Sequence, residues 1–377
     1  MRRLAWVDAA RGVAICLVAL FHVTNWLMTA GFHIDVWVDI NVVLSSIRMP
    51  VFFAIAGMFA LKWLDGDWSS LLRAKVLLFV WGYLVWEVIG SVAGYAGMGL
   101  NGDRTSLLRV MRDLALSPLV PRFELWFIWA LAIFFVVAKT MRRVDPKVQL
   151  AIAGVVSVVA LSGWDAPNVG WGGALKYYFF FLAGLYLKDW IMAFSRMRSR
   201  TLLTGIVVTW AAYGTLLVML DLQAVPGLYF VNCVLGLLAG ICIGRALSGL
   251  FFLGHLGSRT LPIYLGHTPI IVTCVLVFST TGLIPSVPTA VAVTLPAILT
   301  PVAIALAYLL YRAVDPWAPW LYEPPPALIG LILPVRDGEG PSREWLRGVG
   351  AGAGRTPRRS SGKTVRGRRS ARPPRAP

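Results

Sequence analysis

Long apolar runs separated by short polar stretches pattern most of this chain. A helix that crosses a bilayer needs about 20 mostly apolar residues. Ten stretches meet or nearly meet that demand: 10–31, 41–61, 74–97, 123–141, 148–163, 174–192, 202–221, 226–247, 259–281 and 287–312. The pattern predicts an all-α integral membrane protein of about ten transmembrane helices. Residues 10–31 read as an uncleaved first helix, because Asp8 and Arg11 interrupt any signal-like start and no small-residue cleavage site follows.

Charges in the loops give the orientation. Loops on one side carry Lys62, Arg73 and Lys75, then Lys139, Arg142, Arg143 and Lys147, then Lys188, Arg196, Arg198 and Arg200, then Arg245 and Arg259. Loops on the other side carry His33, Asp35 and Asp39, then Asp165, then Asp221, then an uncharged 282–286. Basic loops stay in the cytoplasm, so both ends of the chain are expected there. The segment 98–122 mixes Arg104, Arg109, Arg112 and Arg122 with Asp103 and Asp113, and is expected to form an amphipathic segment on the surface.

Three regions follow: a transmembrane domain over 1–315, a Pro-rich interfacial segment over 316–335, and a disordered basic cytoplasmic tail over 336–377. That tail holds twelve Arg or Lys against three acids, so it supplies about half of the net charge of +17. The charge therefore reports topology, and no nucleic-acid partner is expected. Composition agrees with a lipid solvent: 58% of residues are hydrophobic and only 14% charged. Too little polar surface exists to coat a water-soluble particle. Cys16, Cys233, Cys242 and Cys274 all lie in apolar runs without metal-ligand spacing and read as packing residues.

Ionisable groups inside an apolar run are costly and mark function. Asp8, Arg11, His22 and Asn25 share one stripe of the first helix. Arg11 and His22 are eleven residues apart, within about 20° in azimuth and about 16 Å in rise. In the second helix Arg48 directly precedes Met49-Pro50, where proline frees a carbonyl and bends the helix. Glu87 in the third helix is expected to partner one of these cations. Tyr264 and His267 are one turn apart, between Pro262 and Pro269. His33 and His255 read as loop polarity, and Trp126 and Trp129 as part of an interfacial aromatic belt. Nucleophile elbow, phosphate loop, dinucleotide fingerprint and paired metal ligands are all missing, which leaves histidine as the acid or base near neutral pH.

Five motifs in order carry a resemblance. RLAWVDAARGVAICLVALFHV (3–23), IRMPVFFAIAGMFA (47–60), ELWFIWALAIFF (124–135), FFFLAGLYL (179–187) and LGSRTLPIYLGH (256–267) together resemble acyltransferase family 3, the bacterial multi-pass membrane O-acyltransferases, and its sugar O-acetylase-like branch. The resemblance covers about 1–312. It implies transfer of an acyl group, commonly acetyl, from acyl-CoA to a hydroxyl of a sugar or another acceptor of the cell envelope or metabolism, at the plasma membrane. It makes His22 the catalytic histidine, Arg11 its partner and Arg48 the second-helix arginine. Asp8, Asn25, Glu87, Tyr264 and His267 complete the expected donor and substrate surface. No bound cofactor is expected, since acyl-CoA is a substrate. The chain departs from the pattern at Ser45, where many members carry a basic residue, and at Arg48 itself, where others have His before Met-Pro. A multi-pass transporter or exporter is the competing class, because buried Arg, Glu and His also suit proton-coupled transport. Transporters are commonly built from two related halves, and no such repeat is visible.

Overall fold

The structure is a computed structural model that describes residues 4–98, 106–121, 124–164, 166–282 and 287–332. The described residues form helices and connecting turns, with no strand among them. The main helices are α1 (Ala5–Thr29), α2 (Val36–Met58), α3 (Leu77–Met98), α4 (Leu107–Leu116), α5 (Trp126–Thr140) and α6 (Pro146–Ala160). They continue with α7 (Val169–Tyr186), α8 (Arg200–Met219), α9 (Leu228–Ala246), α10 (Phe251–Gly257), α11 (Thr260–Thr280) and α12 (Leu295–Val314). Each of the ten expected segments holds a helix.

Seven of these segments are long and apolar enough to cross a membrane: Ala5–Thr29, Val36–Met58, Trp68–Tyr95, Arg200–Met219, Leu228–Ala246, Thr260–Thr280 and Thr289–Val314. The other three expected segments are α5 and α6, of 15 residues each, and α7, of 18 residues. The segment 98–122 contains α4, a short helix whose apolar Leu107, Leu108 and Met111 are exposed beside Arg109 and Arg112. The Pro-rich segment is described as far as Ile332, and the tail over 336–377 lies outside the described residues, as do Asp103, Arg104, Arg122 and Asp165.

Polar residues start the helices where the chain turns. Asp145 accepts from the Lys147 amide at 2.7 Å ahead of Pro146, Asn168 accepts from Trp171 at 3.0 Å, and Ser199 accepts from Leu202 at 3.3 Å. Each satisfies a backbone donor that the helix itself leaves orphaned.

The centre of the bundle is α1 and α2. α2 packs on α7 and α9, and α1 packs on α2, α9, α10, α11 and α12. α8 lies outermost, against α9 and α2, with much of its apolar surface turned outward. Glycine is required where α7 and α9 approach α2. A Cβ on Gly184 of α7 would overlap the Ala54 carbonyl of α2, and one on Gly236 of α9 would overlap the Ser46 carbonyl. Backbones that approach this closely pack by van der Waals contact, which is the attraction that persists in lipid. Apolar side chains such as Val92, Val155 and Leu309 face outward, as a lipid solvent demands.

Candidate active site

Drawing α2 against α7 and α9 leaves a cavity of about 500 Å³ between α1, α2, α7 and the start of α5. Its lining includes Asn25, Val38, Asn168 and Val169, all at the end of the bundle opposite the start of α1. Asn25, Val38 and Val169 are exposed there. The inner wall is formed by His22, Arg48, Glu124, Tyr177 and Tyr264, with Lys176 also in the lining.

His22 is 8% exposed and sits where four elements meet. Its Nδ1 lies 3.8 Å from the Glu124 carboxylate. Its ring is 5.1 Å from that of His267 and 5.0 Å from that of Phe21. Glu124 occupies the turn just before α5 and is pinned on both sides. The Tyr264 hydroxyl donates to its backbone carbonyl, and the Trp26 indole reaches its carboxylate. His267 is fully buried, and its Nδ1 donates to the Tyr264 carbonyl at 2.5 Å. A carbonyl can only accept, so Nδ1 carries the proton and Nε2 keeps its lone pair, 3.3 Å from the Thr268 hydroxyl.

Arg48 is 6% exposed and reaches toward α1. Its Nη1 donates to the Leu17 carbonyl at 3.2 Å, and its guanidinium lies 4.5 Å from the centre of the Phe21 ring. No carboxylate is within ion-pair distance of it among the described residues. A guanidinium has five donors and cannot neutralise itself, so the remaining donors are left to the cavity. Ser45, which replaces the basic residue of the family pattern, is tied to Tyr229, whose hydroxyl donates to the Val42 carbonyl at 2.6 Å. Asn41 donates to Thr24 at 3.2 Å and to the Trp37 carbonyl at 2.8 Å, which fastens the outer parts of α1 and α2 together.

The residues singled out from the sequence therefore separate into two places. His22, Asn25, Arg48 and Tyr264 line one cavity, with His267 directly behind His22. Asp8 and Arg11 lie toward the other end of α1, where Arg11 donates to the Thr260 hydroxyl at 2.7 Å and feels the charge of Asp8. Glu87 is buried but faces Glu124 and Tyr83 electrostatically, and one carboxylate oxygen has no hydrogen-bond partner. The expected ionic partnership is not seen: no cation stands within ion-pair distance of Glu87 among the described residues, and the charge that bears on it most is the carboxylate of Glu124.

Two further readings change. Trp126 is part of the cavity wall, packed beside Gly173, and Trp129 donates to the Pro118 carbonyl at 2.9 Å while meeting Trp171 edge-on. His255 is no idle loop residue: it lies in α10, 2.9 Å from the Tyr308 hydroxyl and 3.1 Å from Arg259. Glu124 escaped sequence reasoning altogether. Its one signal was a carboxylate leading an otherwise apolar ELWF run.

Comparison with known proteins agrees with this geometry. The profile of an acyltransferase domain, that of acyltransferase family 3, matches residues 4–312. The chain belongs to that family. It is an all-helical, multi-pass membrane protein. It is also similar to the inner membrane protein YcfT of Escherichia coli (strain K12), 21% identical over 185 residues. That match takes in 44% of this chain and 51% of the relative, so the chain spans about half the length of the relative it matches. No solved structure matches it.

Proposed function

We propose that this protein is a plasma-membrane acyltransferase that moves an acyl group, acetyl being the simplest, from acyl-CoA to a hydroxyl of a sugar or other envelope or metabolite acceptor. The observation that carries this reading is the cavity that gathers His22, Glu124 and Arg48 at one place inside an apolar bundle. A thioester is already activated. The enzyme's work is to hold donor and acceptor together, accept a proton and stabilise an oxyanion.

His22 takes the proton of the acceptor hydroxyl, and the oxygen attacks the thioester carbonyl carbon. Glu124, beside Nδ1, stabilises the imidazolium that forms. Arg48 on the inner wall is the donor that best supports the oxyanion. The Tyr264 hydroxyl is committed to the Glu124 carbonyl and the His267 Nδ1 proton to the Tyr264 carbonyl. When the tetrahedral intermediate collapses, the C–S bond breaks and the coenzyme A thiolate takes the proton back from His22. Products are the ester and the free thiol, and atoms and charge balance.

The basic loops support an orientation of about ten spans with both ends cytoplasmic. The His22 cavity would then open toward the outer face, where an envelope acceptor waits. Arg11 would lie toward the cytoplasmic end, on the side of the soluble donor.

The test is radiolabelled acetyl-CoA supplied to the purified protein with an extract of the native cell envelope as acceptor source. Wild-type protein should release coenzyme A and label the extract. His22→Ala should insert and purify normally yet lose transfer. Acyl transfer left intact in His22→Ala would refute the assignment, and substrate flux without thioester turnover would favour the transporter class.

A further inference from the structure

One aromatic ring touches both groups that the proposed reaction uses. Phe21 is the residue before His22 on α1 and lines the same cavity, half-buried. Its ring meets the His22 imidazole edge-on, with centres 5.0 Å apart and planes at 71°. The Arg48 guanidinium lies 4.5 Å from the centre of the same ring. Arg48 is fixed there by the Leu17 carbonyl, which accepts from Nη1 at 3.2 Å one helical turn before Phe21. Successive residues on a helix point about 100° apart, so α1 presents ring and imidazole as neighbours while α2 brings the cation to the ring. A benzene ring held by a cation in this way is a stiff, apolar surface.

That corner decides what the acyl group meets. In the tetrahedral intermediate the former carbonyl carbon carries the oxyanion, the acceptor oxygen, the sulfur and the alkyl part of the acyl group. The oxyanion is drawn to Arg48, and the acceptor oxygen stays with His22. Sulfur continues into the long pantetheine arm and needs an open path. The alkyl group is the substituent that gains from an apolar wall, and the ring bordering both Arg48 and His22 is Phe21. Val18, one turn before Phe21, and Met49, next to Arg48, are buried and continue the apolar lining.

We propose that Phe21 gauges the acyl chain: its ring closes the space behind the thioester carbon and limits the transferred group to acetyl. The proposal rests on the acyltransferase reading above and narrows its donor to a short acyl-CoA. The bond changes are those already set out: the C–O bond to the acceptor forms, the C–S bond breaks, and His22 passes the proton to sulfur. A methyl group fits against the ring. Each further methylene must displace it, and the ring cannot swing aside without giving up its contact with Arg48. Overpacking of that kind is unfavourable in a close-packed wall. A ring that served only to hold Arg48 would instead affect donors of every acyl length equally.

The test is a competition between donors on the full chain in neutral-lipid nanodiscs. Equal concentrations of acetyl-CoA and butyryl-CoA are supplied together with the envelope extract, and mass spectrometry counts acetylated against butyrylated product. The product ratio reports kcat/KM for one donor against the other and does not depend on how much of a variant is active. Wild type should favour acetyl by about tenfold or more, as added methylenes do in a closed pocket. Phe21→Ala, which removes the ring, should erode that preference by about tenfold, in line with the same cost per methylene. Phe21→Leu should fall between the two, and it decides the matter by the same ratio if Phe21→Ala does not fold. A wild-type ratio at or below one, or a ratio that stays the same while both products decline, overturns the gauge and leaves the acyltransferase reading standing. Coenzyme A release from neither thioester in wild type removes the acyltransferase reading and the gauge together.

Discussion

Replacing Glu124 with Gln tests whether His22 works as a base with a carboxylate behind it. The substitution keeps the size of the side chain and removes its charge. It leaves untouched the backbone carbonyl that Tyr264 grips, so the turn before α5 stays in place. At 3.8 Å from Nδ1, with the effective dielectric of about 20 that suits protein sites, a full imidazolium gains about 4 kcal/mol from the carboxylate. In a transition state with the proton half transferred, the gain is about 2 kcal/mol, equivalent to roughly 30-fold in rate.

Glu124→Gln should therefore lower kcat about 30-fold and change KM for the donor little, because Glu124 stabilises charge that exists only as the reaction proceeds. The assay is coenzyme A release, with size-exclusion chromatography to show that the variant remains folded. A well-folded Glu124→Gln enzyme within threefold of wild type would refute the electrostatic coupling. The carboxylate would then merely fill the cavity wall.

Other consequences concern the frame around the site. Gly184→Ala should lower the thermal midpoint in detergent, because the new methyl group meets the Ala54 carbonyl and forces α2 from α7, at about 1–3 kcal/mol. Gly154→Ala is the control, since its Cβ meets only the Phe179 ring at 3.5 Å and should be neutral or stabilising. His255 is held below its ordinary value by burial and then by the charges of Arg259 and Arg312, so it folds as the neutral ring. The unfolded chain then binds the extra proton. Its contribution is complete above the ordinary value of 6.5 and is lost as pH falls from 6.5 toward the lower folded value. Thermal midpoints measured from pH 5 to 8 should show that loss in wild type and a flatter profile in His255→Gln.

The sequence announces the helices because lipid makes the signal strong: an apolar run long enough to span leaves its backbone no alternative to a helix. Counting them is harder where helices are short. At about 1.5 Å per residue, the 15 residues of α5 and of α6 reach about 22 Å, less than a hydrocarbon core of about 30 Å. Hydropathy windows alone cannot decide such elements, which depend on what packs around them. The site shows the same division. His22 and Arg48 stand out because an ionisable group within an apolar run violates the local pattern. Glu124 stands at the border of its run, where a carboxylate is unremarkable, and its importance arises only when α1, α5 and α11 converge. The packing around α2 that frames the same cavity is written in glycines whose meaning is also non-local, since Gly184 of α7 and Gly236 of α9 matter through carbonyls of α2 far along the chain. Trp126 was misplaced for the same reason: an indole near a span boundary looks like a belt residue until Gly173 draws it into a cavity wall. The polar groups of this chain are thus legible one helix at a time. What gathers them around one cavity is the close approach of backbones, which single-helix patterns do not record.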